Sequence, residues 1–229
     1  MTEHRLDSEL NTMQHEWQDI SSVPEKPGVY AWYYRPEITN SDLDRIITKV
    51  ASLTDKKDRS RAVAVVTEFL DSFLFNSFRE SSYRVAVKGA LKPQYEGSLK
   101  HVSQISTSLA ERLAAAPERF RKIKEVVEAS APEFTSPLYI GMSSNLRRRL
   151  SNHRRLIEKY RLRNDMTSSL DLKEENASRD KNFAMQVVRR KMAPTRLFVV
   201  THVIECDEQE YKDVENILNR INYPLLGRN

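Results

Sequence analysis

Cysteine occurs once, at Cys206, so no disulfide can form within the chain. That excludes a disulfide-stapled secreted scaffold and makes a reducing cytoplasm the expected setting. Glycine is also scarce, at five of 229 residues, and neither a P-loop nor a dinucleotide fingerprint is present. No apolar run approaches the ~20 residues that span a bilayer. The opening MTEHRLDSEL lacks the apolar core of a signal peptide, so no membrane partner is expected. His4, His15, His101 and His202 have no metal-ligand spacing, and no Ser-His-Asp or Cys-His arrangement stands out. What the chain does have is charge. Charged residues make up 30%, with 37 Lys and Arg against 32 Asp and Glu, for a net charge of +5. A surplus that small has to be read by its distribution.

Residues 1–23 read as a polar helix or arm. PEKPGVYAWYYRP (24–36) carries aromatic strand formers between prolines and predicts a strand near 28–35. From Ser41 the pattern turns helical, with Asp42 as a cap and Leu43, Ile46, Ile47 and Val50 on one stripe. Residues 61–78 form a more apolar helix, 83–99 suggest a short hairpin, and 108–131 are helical again, with Pro117 starting a second helix. Beyond the next strand, near 137–142, residues 163–182 are polar and aperiodic and read as a surface loop. A short helix (183–192) and the strongest strand signal, RLFVVTHVIEC (196–206), follow. Residues 207–221 read as a helix with Asp207 as N-cap and Glu210 in the capping-box position. The sum is an α+β domain, with a mostly helical block at 37–135 inserted between its first two strands.

The stretch PLYIGMSSNLRRRLSNH (137–153) runs from a strand into a helix expected over 145–163. Leu146, Leu150, Ile157 and Tyr160 share a core-facing stripe, Arg149 and His153 share a second face, and Asn145 is a good N-cap. The helix is crowded with Arg147, Arg148, Arg154, Arg155, Lys159, Arg161 and Arg163, and Glu158 is its one acid. Guanidinium forks match phosphate oxygens in pairs, so this density favours a nucleic-acid backbone over the plainer reading of a solvated basic face.

GVY at 28–30 and YIG at 139–141 resemble the two name-giving triplets of the GIY-YIG nuclease superfamily. The longer pattern Y-I-G-x-x-x-N-L-x-x-R-x-x-x-H is more specific, and is present as Tyr139, Ile140, Gly141, Asn145, Leu146, Arg149 and His153. Glu215, Leu218 and Pro224 resemble the family's later E-x-x-L-x-x-x-x-x-P element. The resemblance covers 24–36 and 136–229, and implies a small three-stranded antiparallel sheet flanked by helices. Two departures stand out. The triplets are normally about ten residues apart, but Tyr139 lies 109 positions after Tyr30. The family's terminal Asn commonly follows the proline by three, where this chain has Gly227. Asn229 is the candidate in its place, with Asn219 and Asn222 as fallbacks.

The resemblance implies a metal-dependent endonuclease acting on DNA rather than RNA, with restriction or phage defence as its setting. Glu215 would hold one Mg²⁺ or Mn²⁺ ion per site, and Arg149 would hold the non-bridging phosphate oxygens. Tyr30 and Tyr139 would be the two active-site tyrosines, with Tyr139 favoured as the base and His153 orienting it or relaying its proton. Arg147, Arg148, Arg154, Arg155 and Lys159 would bind the nucleic acid. A lone site implies nicking unless the protein pairs as a homodimer. Arg84, Lys88 and Lys92 near the hairpin either touch DNA, or the insertion serves as a structural cap or dimer surface. The alternative function is a nucleic-acid-binding module on the same fold whose catalysis has decayed.

Overall fold

The computed structural model describes residues 12–80, 82–89, 92–102, 105–131, 133–166, 179–204 and 208–226. The expectations placed on Cys206, Asp207, Gly227, Asn229 and most of the 163–182 loop lie outside them. The chain is α+β and divides into two compact units, one formed by residues up to 35 and from 130 onward, the other by 36–129.

In the first unit, β2 (Gly28–Tyr34) lies between β5 (Tyr139–Ser143) and β6 (Leu197–Val203), antiparallel to both. The sheet has four strands, not three, and with β1 (Thr12–Glu16) at its edge the order is β1-β6-β2-β5. The added strand, β1, pairs antiparallel with β6, and a 3-10 turn over Trp17–Ser22 follows it. Over residues 12–22 these elements stand where the polar helix or arm was expected, and the rest of that expectation lies outside the described residues. TMQHEW is too polar to advertise a strand. His15 and Trp17 turn inward and are buried, while Gln14 and Glu16 lie on the other face. Pairing with β1 also covers the edge that the β-branched β6 would otherwise expose.

Paired residues share a sheet face, so Tyr30, Trp32 and Tyr34 of β2 lie on one face with Tyr139 and Gly141 of β5 and Leu197, Val199 and Thr201 of β6. Helix α5 (Leu146–Met166) covers this face together with α6 (Arg179–Arg189). The other face carries Val29, Ala31, Tyr33, Ile140 and Val200, and α7 (Glu208–Asn222) packs across β5 and β2 there, with Leu218 and Asn222 beside these side chains. After α7 the chain turns back. Leu225 and Leu226 donate their N–H groups to the carbonyls of Pro137 and Leu138, which ties the end of α7 to the approach to β5.

The second unit has its own core. Helix α1 (Asn40–Asp55) begins at a capping box in which Thr39 is the N-cap and Asp42, anticipated as the cap, is its N3 partner. Leu43, Ile46, Ile47 and Val50 then bury against Val66, Phe69 and Leu70 of α2 (Arg59–Leu70). Beyond α2 the winding loosens into a π turn at Asp71–Phe75 and a 3-10 turn at Asn76–Phe78. The expected hairpin follows as β3 (Tyr83–Gly89) and β4 (Lys92–Leu99). Helices α3 (Thr107–Ala115) and α4 (Arg119–Ala129) add Leu113 and Phe120 to the core. Among the described residues, no helix is long and apolar enough to cross a membrane.

His15 is a structural histidine. It is buried, with one ring nitrogen 3.2 Å from Thr201 Oγ1 and the other 3.3 Å from Ser22 Oγ, and so links β1 to β6 and the following turn. Desolvation lowers its pKa, against a weaker upward pull from Asp19. A histidine with a lowered folded pKa binds fewer protons folded than unfolded. Its contribution is therefore complete above the unfolded value near 6.5 and drains away as pH falls toward the folded one. Replacing His15 with Gln should cost about 1 kcal/mol at pH 7. The gap between wild type and variant should narrow from pH 7 to pH 5 in urea denaturation series.

Candidate active site

The site starts from one register. Tyr30 stands directly opposite Gly141, and Trp32 opposite Tyr139. The two tyrosine rings therefore meet diagonally across the strand pair, with centroids 6.2 Å apart and planes 28° off parallel. Gly141 lies within β5 and not in a turn. A Cβ built there would fall 2.5 Å from Tyr30 Oη and 2.9 Å from Tyr139 Cε1, so only glycine lets both rings lie down over the strand. Gly28 makes room for backbone instead, since an added Cβ there would fall 2.2 Å from the His202 carbonyl oxygen and 3.0 Å from Leu146.

Helix α5 is set against these rings by its first turn. Asn145 Oδ1 accepts from the Arg148 N–H at 2.9 Å, the N-cap bond expected of it, and Ser143 Oγ accepts from the Asn145 N–H. The buried stripe is Leu146, Leu150, His153, Ile157 and Tyr160. His153 thus belongs to the core stripe, fully buried, while Arg149 sits on its flank, partly exposed. Arg149 Nε donates to Tyr30 Oη at 3.2 Å. His153 Nε2 lies 3.5 Å from the same oxygen, a long contact, and the Trp32 indole N–H donates to His153 Nδ1 at 3.0 Å. Phe183 of α6 closes the cluster, its ring 5.1 Å from Tyr139 and 5.2 Å from His153. Tyr30, Tyr139, Arg149 and His153 are therefore gathered at one place. Trp32 and Phe183 belong to the same cluster and were not anticipated. Strand alternation could have found Trp32, two residues from Tyr30 on the same face, but nothing local marks Phe183.

Arg149 also faces a cleft of about 570 Å³ lined by Met142, Ser143, Ser144, Arg148 and Asn152. The basic residues of α5 divide around this opening. Arg148 lines it. Arg155 donates to Asn152 Oδ1, and Lys159 is exposed one turn further on. Arg147 and Arg154 lie on the opposite flank. Arg147 donates to the Val23 carbonyl and to Glu25, and Arg154 pairs with Glu158 and stands 5.6 Å over Trp17.

Glu215 is partly buried on α7, on one stripe with the sheet-facing Leu218 and Asn222. Asn219 Nδ2 donates to the Glu215 main-chain oxygen at 2.9 Å and lies 3.5 Å from its carboxylate. Of the two fallback asparagines, Asn219 is the one beside Glu215, while Asn222 lines the groove next to Tyr33 and Val200. Among the described residues, no three His, Cys, Asp or Glu side chains converge as a metal cluster. No protein-family model matches this chain, and no curated protein or solved structure does either.

The Gly141→Ala substitution should cost about 1–3 kcal/mol by overpacking, because both rings it would strike are buried and cannot swing aside. Urea denaturation reads that cost. An unchanged midpoint would mean that the rings are not held where the register puts them.

Proposed function

We propose that this chain is a metal-dependent endonuclease of the GIY-YIG kind it resembles, hydrolysing phosphodiester bonds in DNA. Its nuclease core would be 24–36 with 136–229, carrying the 37–135 insertion. The carrying observation is the Tyr30 oxygen, held by Arg149 at 3.2 Å where that arginine also lines an open cleft. A phosphate entering the cleft would meet Arg148 and Arg149, whose guanidinium groups suit its non-bridging oxygens. Tyr30 is taken as the base in preference to Tyr139, because the Arg149 donor and the His153 ring both aim at its oxygen. Burial by itself opposes ionisation of a phenol and pushes Tyr33 up. Tyr30 is almost wholly buried, so donors aimed at its oxygen are what would favour the phenolate. In the reaction a water gives its proton to Tyr30 as its oxygen forms a new P–O bond. The P–O bond to the leaving oxygen breaks, and that oxygen takes a proton from solvent in the cleft.

The donor set on α7 suits a hard divalent cation. Glu215 would supply the carboxylate oxygen, with Asn219 one helical turn on turning its amide N–H toward it, and water and phosphate oxygens would complete the shell. Mg²⁺ or Mn²⁺ bound there, on the α7 side of the sheet, would supply neutralisation of charge on a phosphate that spans Glu215 and Arg149. Restriction or phage defence is the setting the resemblance suggests. A single site nicks one strand, and cutting both would require a homodimer.

Supercoiled plasmid tests the reading. Wild type with Mg²⁺ should yield nicked or linear product, and EDTA, Glu215→Ala and Tyr30→Phe should each lower the rate at least about a hundredfold. Intact plasmid with salt-sensitive DNA binding would point instead to the decayed binding module. Cleavage that survives Glu215→Ala would remove that residue from the site. The flanks of α5 give a second prediction. Arg148→Ala should weaken DNA binding and lower its salt dependence by about one unit of slope, whereas Arg147→Ala, already held by Glu25, should change little. Fluorescence anisotropy over a salt series compares the two.

A further inference from the structure

We infer that Trp32 is a positioning residue that locks His153 as its Nε2–H tautomer, which makes the imidazole a hydrogen-bond donor to Tyr30 and not an acceptor of its proton. An indole N–H can only donate. It lies 3.0 Å from His153 Nδ1, so that nitrogen must be the unprotonated one. A neutral imidazole carries one proton, which then sits on Nε2, the nitrogen facing Tyr30 Oη at 3.5 Å. The opposite arrangement, with Tyr30 donating to Nε2, would put a proton on Nδ1 and set two N–H groups head to head inside a fully buried cluster.

The surroundings hold the ring to this choice. Trp32 stacks on it at 6.3 Å and 23°, Tyr30 and Tyr139 meet it edge-on at 5.6 and 5.7 Å, and Phe183 of α6 lies at 5.2 Å. Turning the imidazole over would leave a carbon against the indole N–H and strand a buried donor. Protonation to imidazolium would need a proton on Nδ1, where Trp32 already donates. Among the described residues, the rings packed against it are aromatics from β2, β5 and α6. On its own helix, the cationic Arg149 reaches the same tyrosine oxygen. With the indole N–H aimed at Nδ1, a second ring proton has no place there, and that geometry is what holds the imidazole in its neutral form.

This lock does not depend on the nuclease reading, but its catalytic consequence does. With His153 fixed as a donor, the Tyr30 oxygen accepts from two N–H groups, and both favour its phenolate form. Tyr30 then takes the proton of the attacking water and cannot pass it to His153, so it must return it to solvent through the cleft.

Two readouts separate these claims. The full chain labelled with ¹⁵N in its histidines, recorded by long-range ¹H–¹⁵N correlation between pH 5.5 and 8.5, should show His153 as the Nε2–H form throughout. A Nδ1–H pattern, or titration of His153 near 6.5, would overturn the lock whatever the activity. Trp32→Phe keeps a ring and removes the donor. It should admit the second tautomer and move the acidic limb of the plasmid-cleavage profile up by about one pH unit, a tenfold loss at pH 7 that is regained at pH 8.5. An equal loss at every pH would make Trp32 a packing residue and overturn its positioning role. No cleavage by wild type would count against the nuclease reading and leave the spectrum to decide the lock.

Discussion

Gly141 faces Tyr30 across the β2–β5 pair with no side chain between strand and phenol, and the rest of the cluster is arranged around that gap. The missing Cβ lets the Tyr30 ring lie along the sheet. The ring's oxygen then reaches the flank of α5, where Arg149 meets it, and its edge rests on His153. A slip of β2 by one residue would send Tyr30 and Trp32 to the α7 face, away from Tyr139, and dismantle the cluster at once. Register is pinned from both sides, because β2 pairs along its length with β6 as well as with β5.

Much of this was legible from local pattern. GVYAWYY and LFVVTHV announced two neighbouring strands by their branched and aromatic residues, and the spacing of Leu146, Leu150, Ile157 and Tyr160 marked the buried side of α5. His153 was harder to place. Seven residues after Leu146 it falls on the same stripe, but a histidine among arginines invites grouping with the polar face. The indole partner that makes its burial tolerable sits on a strand over a hundred positions away. The fourth strand was missed because Thr12–Glu16 is polar, and its pairing is decided by β6, far off in sequence. The two flanks of α5 were invisible for a related reason. Charge density counts arginines, and it cannot say that Glu25 and Trp17 would occupy two of them.

The second unit shows the same separation of pattern from context. Its helices bury a conventional core, whereas its hairpin keeps Val87, Tyr95 and Leu99 exposed on one face. The alternation that predicts strands says nothing about whether a face will be covered. The α1 boundary makes a finer point. Asp42 was recognised as a capping residue from its type, but the reciprocal bonds with Thr39 place it three positions inside the cap.

The placement of β2 and β5 has a consequence for how the protein assembles. Adjacent strands are separated by roughly one hundred residues of intervening chain, and closing so long a loop costs about 2 kcal/mol more than closing one of ten residues if the intervening chain is unstructured. That segment is not unstructured in the native state, because it forms a compact unit with its own core. A segment that collapses early acts as a short tether, which removes most of the penalty before β2 looks for β5. The tolerance of the sheet for so large an interruption is then a kinetic property as much as a geometric one. It rests on the autonomy of the inserted helices, and weakening their core would slow the formation of a site to which they contribute no residue of the cluster.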